Sequence, residues 1–191
     1  MTEITGSKPK PWLEAWKLKH GKRAVQKTQV ANNIGNEFHR CVEQIVLGRM
    51  VGSSSKRVLK MLASFIKWED LPKITVIATE GKVWSDQYKY QGTLDCIALY
   101  KKKPILIDWK TSSKIYPDMD LQLVAYAKAY EEMVGIPIKK GWIVLVSKDK
   151  PHHKLTVREF TLGKRAFNKF LKLRLAMSEP VCDGKDIEDL P

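Results

Sequence analysis

The chain has 191 residues with 43% hydrophobic content, enough for a globular domain with a core of its own. Lys and Arg number 34 against 21 Asp and Glu, and the formal charge of +13 points to an anionic partner, nucleic acid first. No apolar run is long enough to span a bilayer, and MTEITGSKPKP has neither a signal-peptide core nor a transit-peptide pattern, so an intracellular, cytoplasmic protein without a signal peptide is expected.

The N-terminal third reads as helical. In PWLEAWKLKHGKRAVQK, Trp12 and Trp16 lie one turn apart among basic residues that include Lys17 and Lys19. Such a pair either stacks nucleobases beside charges that track phosphates or packs as a core element. A helix over 32–47 carries Ile34, Phe38, Val42 and Ile45 as an apolar stripe. Beside that stripe Gly35, His39 and Glu43 recur at intervals of four, in one row along the helix. On its own, a histidine there is more often a hydrogen-bonded structural residue than a metal ligand. A GSSSK loop leads to a helix over 56–68, which Pro72 closes.

The period then changes. KITVIATEGKVW and YKYQGTLDCIALY read as strands joined by a polar turn at 85–87, and PILIDWK follows after the lysine turn 101–103. Next come a helix over 119–133, strands over 141–147 and 154–161, and a helix over 164–177. This last helix is expected to turn Phe167, Phe170, Leu171 and Leu175 inward and to leave Lys164, Arg165, Lys169 and Lys172 in water. The acidic end, CDGKDIEDLP, reads as a solvated tail. Cys41, Cys96 and Cys182 are isolated, without C-x-x-C spacing, and read as reduced packing residues.

The stretch ILIDWKTS combines a strand buried on both faces with two charges, Asp108 and Lys110. Period two puts these on one face and Trp109 on the other. If the hairpin closes around Lys101 and Lys102, opposed residues have numbers summing to about 203, and Asp95 faces Asp108. Like charges so close destabilise a sheet unless something lies between them. A divalent cation would serve. So would Lys110 alone, with the second aspartate solvated. On the helix that follows, Gln122 and Tyr126 are one turn apart.

In chain order these residues form G-x-x-x-H-x-x-x-E (Gly35, His39, Glu43), G-x-x-D (Gly92, Asp95), D-x-K (Asp108, Lys110) and Q-x-x-x-Y (Gln122, Tyr126). The set resembles the RecB-like branch of the PD-(D/E)xK nuclease superfamily. Within that branch, GTLDCIALY, LIDWKTS and QLVAYAKAY look most like the mitochondrial genome maintenance exonucleases and related phage and bacterial exonucleases. The resemblance implies an α/β, restriction-endonuclease-like core with a mixed sheet flanked by helices. It divides one nuclease domain into a helical part over 1–72, a sheet core over 73–161, a helix over 162–178 and a tail over 179–191.

The same resemblance implies that His39, Asp95, Asp108 and the Trp109 carbonyl hold Mg²⁺ or Mn²⁺, with Glu43 supporting them. Glu80 is either a further supporting carboxylate or an exposed strand residue. Lys110 is expected to stabilise charge at phosphorus rather than to act as a base, because two carboxylates keep its ammonium charged. Gln122 and Tyr126 are expected to position the strand or the water. No iron–sulfur cluster is expected, since the chain lacks the four cysteines that one needs. The expected activity is metal-dependent DNA exonuclease cleavage, favouring single strands with free ends. The expected setting is replication, repair or recombination, with proteins of those processes as partners, in a bacterial or phage-infected cell. The alternatives are a nucleic-acid-binding protein that lost its chemistry and a restriction-type endonuclease.

Overall fold

The computed structural model describes residues 11–116, 118–149 and 153–178, with the side chains of 11–13 and 176–178 outside that description. The expected acidic tail, Cys182 and the Trp12 side chain therefore lie outside the described residues. Helix α1 (Pro11–His20) is followed by α2 (Arg23–Val46) and α3 (Lys56–Ile66). Strands β1 (Ile74–Ser85), β2 (Tyr90–Tyr100) and β3 (Lys103–Lys110) come next. They are followed by α4 (Met119–Val134), β4 (Lys140–Val146), β5 (Leu155–Thr161) and α5 (Lys164–Ser178).

The second helix begins nine residues earlier than its apolar stripe suggests, at Arg23 rather than 32. Its first turns are solvated and carry no periodic signal. Gly21, at φ +50°, makes the break from α1 in a conformation that glycine adopts without a Cβ penalty. Helix α3 starts where the serine-rich loop predicts, with the Ser55 side chain accepting from the Val58 N–H at 3.3 Å.

The five strands form one mixed sheet in the order β1-β2-β3-β4-β5. All neighbours are antiparallel except β3 and β4, which run parallel across the α4 connection. Helices flank both faces, giving the expected α/β class with an architecture consistent with a restriction-endonuclease-like core. On one face Phe38, Val42, Met61 and Phe65 of α2 and α3 pack on Ile105, Ile107 and Trp109. On the other, Leu123, Ala125 and Ala129 of α4 and Phe167 and Phe170 of α5 cover Leu94, Leu106 and Ile143. One expectation for α5 fails. Leu175 is 64% exposed, while Phe167 and Phe170 of the same helix are buried.

The β2–β3 hairpin fixes the geometry on which the site depends. Its pairs, from Tyr100 with Lys103 to Cys96 with Ile107, follow the predicted register. Its two-residue loop puts Lys101 at φ +51° and Lys102 at φ +62°, both left-handed, as a type I′ turn requires. Lysine holds that conformation at a cost that Asn-Gly does not bear. Replacing Lys101-Lys102 by Asn-Gly is expected to stabilise the fold by about 1–2 kcal/mol, read as a rise in Tm by thermal denaturation. An unchanged or lower Tm would show that the turn does not limit stability.

Candidate active site

The ladder between β2 and β3 stops after Cys96–Ile107. Beyond it the two strands stay joined through a side chain, as the Trp109 N–H donates to Asp95 Oδ2 at 2.7 Å. This bond keeps Asp95 beside the end of β3 that carries Asp108, both aspartates lying past the last ladder pair. Alternation also breaks here. Leu94 and Ile97, three residues apart, pack on the α4 face, while Cys96 packs on the other. On β1 the matching position is Glu80, which lies between the pairs Thr79–Cys96 and Gly81–Leu94. Its φ is +49°, in the left-handed region that a non-glycine residue rarely adopts. The two irregular positions face each other, and both are carboxylates.

Helix α2 completes the cluster. One ligand atom from each of His39, Glu80 and Asp95 lies within 4.8 Å of the other two. His39 Nδ1 is 3.5 Å from Asp95 Oδ2. Burial, followed by the nearby Lys110 charge, pushes the His39 imidazole below its ordinary pKa, so it is neutral and keeps a lone pair for a metal. Asp95 is held well above the carboxylate range, first by burial and then by the Asp108 charge. Burial also raises Glu80, with Glu43 adding to the effect.

Asp108 is 2% exposed, and neither of its carboxylate oxygens has a hydrogen bond. Its counter-charge among the described residues is Lys110, with Nζ 2.6 Å from Oδ2. Buried, underpartnered carboxylates beside a neutral imidazole fit a divalent cation. In this arrangement Glu80 stands nearer to His39 and Asp95 than a supporting role required, while Asp108 is turned to Lys110.

A chain of hydrogen bonds runs away from the acids. Lys110 Nζ donates to Gln122 Oε1 at 3.0 Å, and Gln122 Nε2 donates to the Tyr126 hydroxyl at 2.9 Å. Burial opposes the charge on Lys110, but Asp108 and Asp95 outweigh it and raise its pKa, which makes it a fixed cation rather than a base. Burial raises the Tyr126 hydroxyl as well, so it stays protonated. Gly92 makes room for it: a Cβ there would lie 2.4 Å from the Tyr126 ring. Glu43 accepts from Thr79 Oγ1 at 3.2 Å, tying α2 to β1 beside the cluster.

Apart from Thr79 and the buried Asp108 and Trp109, the polar side chains of the cluster and of the hydrogen-bonded chain line one cleft of about 840 Å³. Trp16, Lys17 and Lys19 are not among its lining residues. Trp16 packs against His20 with ring centroids 4.6 Å apart, and Lys17 pairs with Glu14 at 2.9 Å. The cleft also takes in Asn32, Asn36, Arg40, Thr111 and Lys148, which the motif reading passed over. The signal for Lys148 was the abrupt change from the apolar GWIVLV to SKDK at the end of a strand parallel to β3.

Comparison with known proteins agrees with the motifs. The Mus musculus protein named mitochondrial genome maintenance exonuclease 1 is 34% identical over 131 residues, 62% of this chain and 38% of that protein. Its Xenopus tropicalis namesake is 29% identical over 157 residues, 74% of this chain and 45% of that protein. The chain is similar to the mitochondrial genome maintenance exonucleases. The resemblance read from the motifs is thus borne out, and the chain spans less than half the length of these curated relatives. No family model matches the chain. The solved structure of SSO0001 covers 88% of this chain and 72% of its own at 16% identity and a TM-score of 0.43, a likeness too low to add to the fold already described.

Two outcomes follow from this geometry. Wild-type protein should gain thermal stability when Mn²⁺ or Mg²⁺ is added, by about 2.7 kcal/mol at a hundredfold excess over Kd. Asp95→Asn should lose that gain while matching or exceeding wild-type Tm in EDTA, because a buried charge is gone; a wild-type Tm indifferent to cation would refute the cluster. Gly92→Ala should push Tyr126 aside, release Gln122 from it, and cost about 1–3 kcal/mol of stability through overpacking, read as a fall in Tm.

Proposed function

We propose that this chain is a divalent-metal-dependent DNA exonuclease of the PD-(D/E)xK type, acting on single strands with free ends in DNA replication, repair or recombination. The observation that carries the reading is the meeting of His39, Glu80 and Asp95 beside the Asp108–Lys110 pair, in a cleft open to a polyanion. A binding module has no use for buried carboxylates facing phosphate. The exonuclease names of the relatives support the same reaction class.

His39, Glu80, Asp95 and Asp108 are the proposed holders of Mg²⁺ or Mn²⁺, with the Trp109 carbonyl alongside. A bound divalent cation supplies stabilisation of phosphoryl charge and an acidified water. Lys110 donates to a phosphoryl oxygen and offsets charge that grows during displacement. Gln122 holds Lys110 in that direction. Tyr126, accepting from Gln122, keeps its own O–H to donate toward the strand. Glu43 steadies the metal side through Thr79.

Linear single-stranded DNA should be degraded to short oligonucleotides with either cation, while closed single-stranded circles survive, as read on denaturing gels. His39→Ala and Asp108→Asn should abolish cleavage and still retain oligonucleotide binding. Rapid cutting of closed circles would replace the exonuclease by an endonuclease, and turnover in EDTA would remove the metal from the mechanism.

A further inference from the structure

Helix α2 presents two rows to the cleft. Gly35, His39 and Glu43 form one, and the other is Asn32, Asn36 and Arg40, again at intervals of four. The residues of this second row are all exposed, although they line the cleft. It begins beside Lys148, whose Nζ lies 3.2 Å from the Ala31 carbonyl oxygen, and it ends at Arg40 beside the metal cluster. Lys148 itself follows the end of β4, with its backbone N–H donating to the Thr111 carbonyl at 3.5 Å. Two parallel strand ends and one helix thus make a polar, positively charged wall next to the catalytic floor.

We propose that this wall, Lys148 together with Asn32, Asn36 and Arg40, seats the part of the DNA strand that flanks the scissile phosphate. The inference rests on the nuclease reading above and adds the positioning residues it lacks. Distance separates the roles. From Ala31 to His39 is eight residues of α2, ~12 Å of helix axis, whereas a cation binds its oxygen ligands at about 2.1 Å. The phosphate that Lys148 meets is therefore a neighbour of the one being cut. Its chemistry suits the task, since a half-buried lysine holding one backbone carbonyl has donors to spare. Burial pulls Lys148 below the ordinary lysine range, with Asp149 opposing and Arg57 adding to the effect, so an incoming phosphate stabilises its charge. Asn32 and Asn36 are uncharged donors and acceptors between the two cations, suited to sugars, phosphates or base edges of an unpaired strand.

The test uses the full chain and a fluorescently labelled oligodeoxythymidylate. Lys148→Met keeps the apolar stem and removes the charge. It should raise KM about tenfold with kcat little changed, and lower the slope of log affinity against log salt by about 0.7, the share of one phosphate contact on a single strand. Lys148→Arg should restore both. Asn36→Ala, at an exposed position, should raise KM with wild-type Tm, which keeps the wall testable if Lys148→Met does not fold. A Lys148→Met protein with wild-type KM and salt slope, or one that loses only Tm, would overturn the wall and leave the nuclease standing. Failure of the wild-type chain to bind or cut the oligonucleotide would overturn both.

Discussion

Two aspartates, Asp95 and Asp108, sit side by side where water cannot solvate both. The rest of the site is arranged around that cost. The end of the β2–β3 hairpin brings them close, and the Trp109 N–H and the Lys110 ammonium offset only part of the repulsion. Asp95 remains far from its ordinary protonation behaviour. Such an arrangement costs stability that a further cation would offset. The neutral His39 and the strained Glu80 converge on this point, and Gln122 and Tyr126 keep Lys110 from being drawn wholly into the acids.

Helix α2 connects the fold to this chemistry. One side buries Phe38, Cys41 and Val42 against α3 and the sheet, which fixes the rotation of the helix. With rotation fixed, His39 and Glu43 can reach only the sheet end where the β2–β3 ladder has stopped. A helix held by charge pairs alone would leave His39 free to turn; the core contact makes its position as definite as that of the strands.

Much of this was legible in the sequence. Period two in ILIDWK put Asp108 and Lys110 together and Trp109 opposite, and Trp109 does pack on Phe65 with ring centroids 5.4 Å apart. Hairpin arithmetic placed the pairs from Tyr100–Lys103 to Cys96–Ile107 because the loop length was readable as two lysines, and a side-chain bond to Asp95 takes over where that ladder ends. The place of Glu80 was not legible, since it depends on a break in alternation that no residue type announces: a glutamate at φ +49° is not signalled by composition. The start of α2 at Arg23 was missed for a related reason, because solvated turns lack the apolar period by which a helix is recognised. Leu175 shows the converse error, in which a periodic apolar residue stays 64% exposed.

The strand order explains why cations gather at the same end as the acids. Strands β3 and β4 are the one parallel pair, so both release their next residues at one edge of the sheet, where Thr111 and Lys148 meet. An antiparallel neighbour would have carried its following residues to the opposite edge. The α4 crossover that makes the pair parallel also brings Gln122 and Tyr126 over that edge from the other face. One connection therefore delivers the residues that orient Lys110 and, on its return, the lysine that holds the Ala31 carbonyl of α2. Acids from the antiparallel hairpin and bases from the parallel crossover meet at a single sheet edge, an alternation of charge that a polyanion with its counter-cation would match.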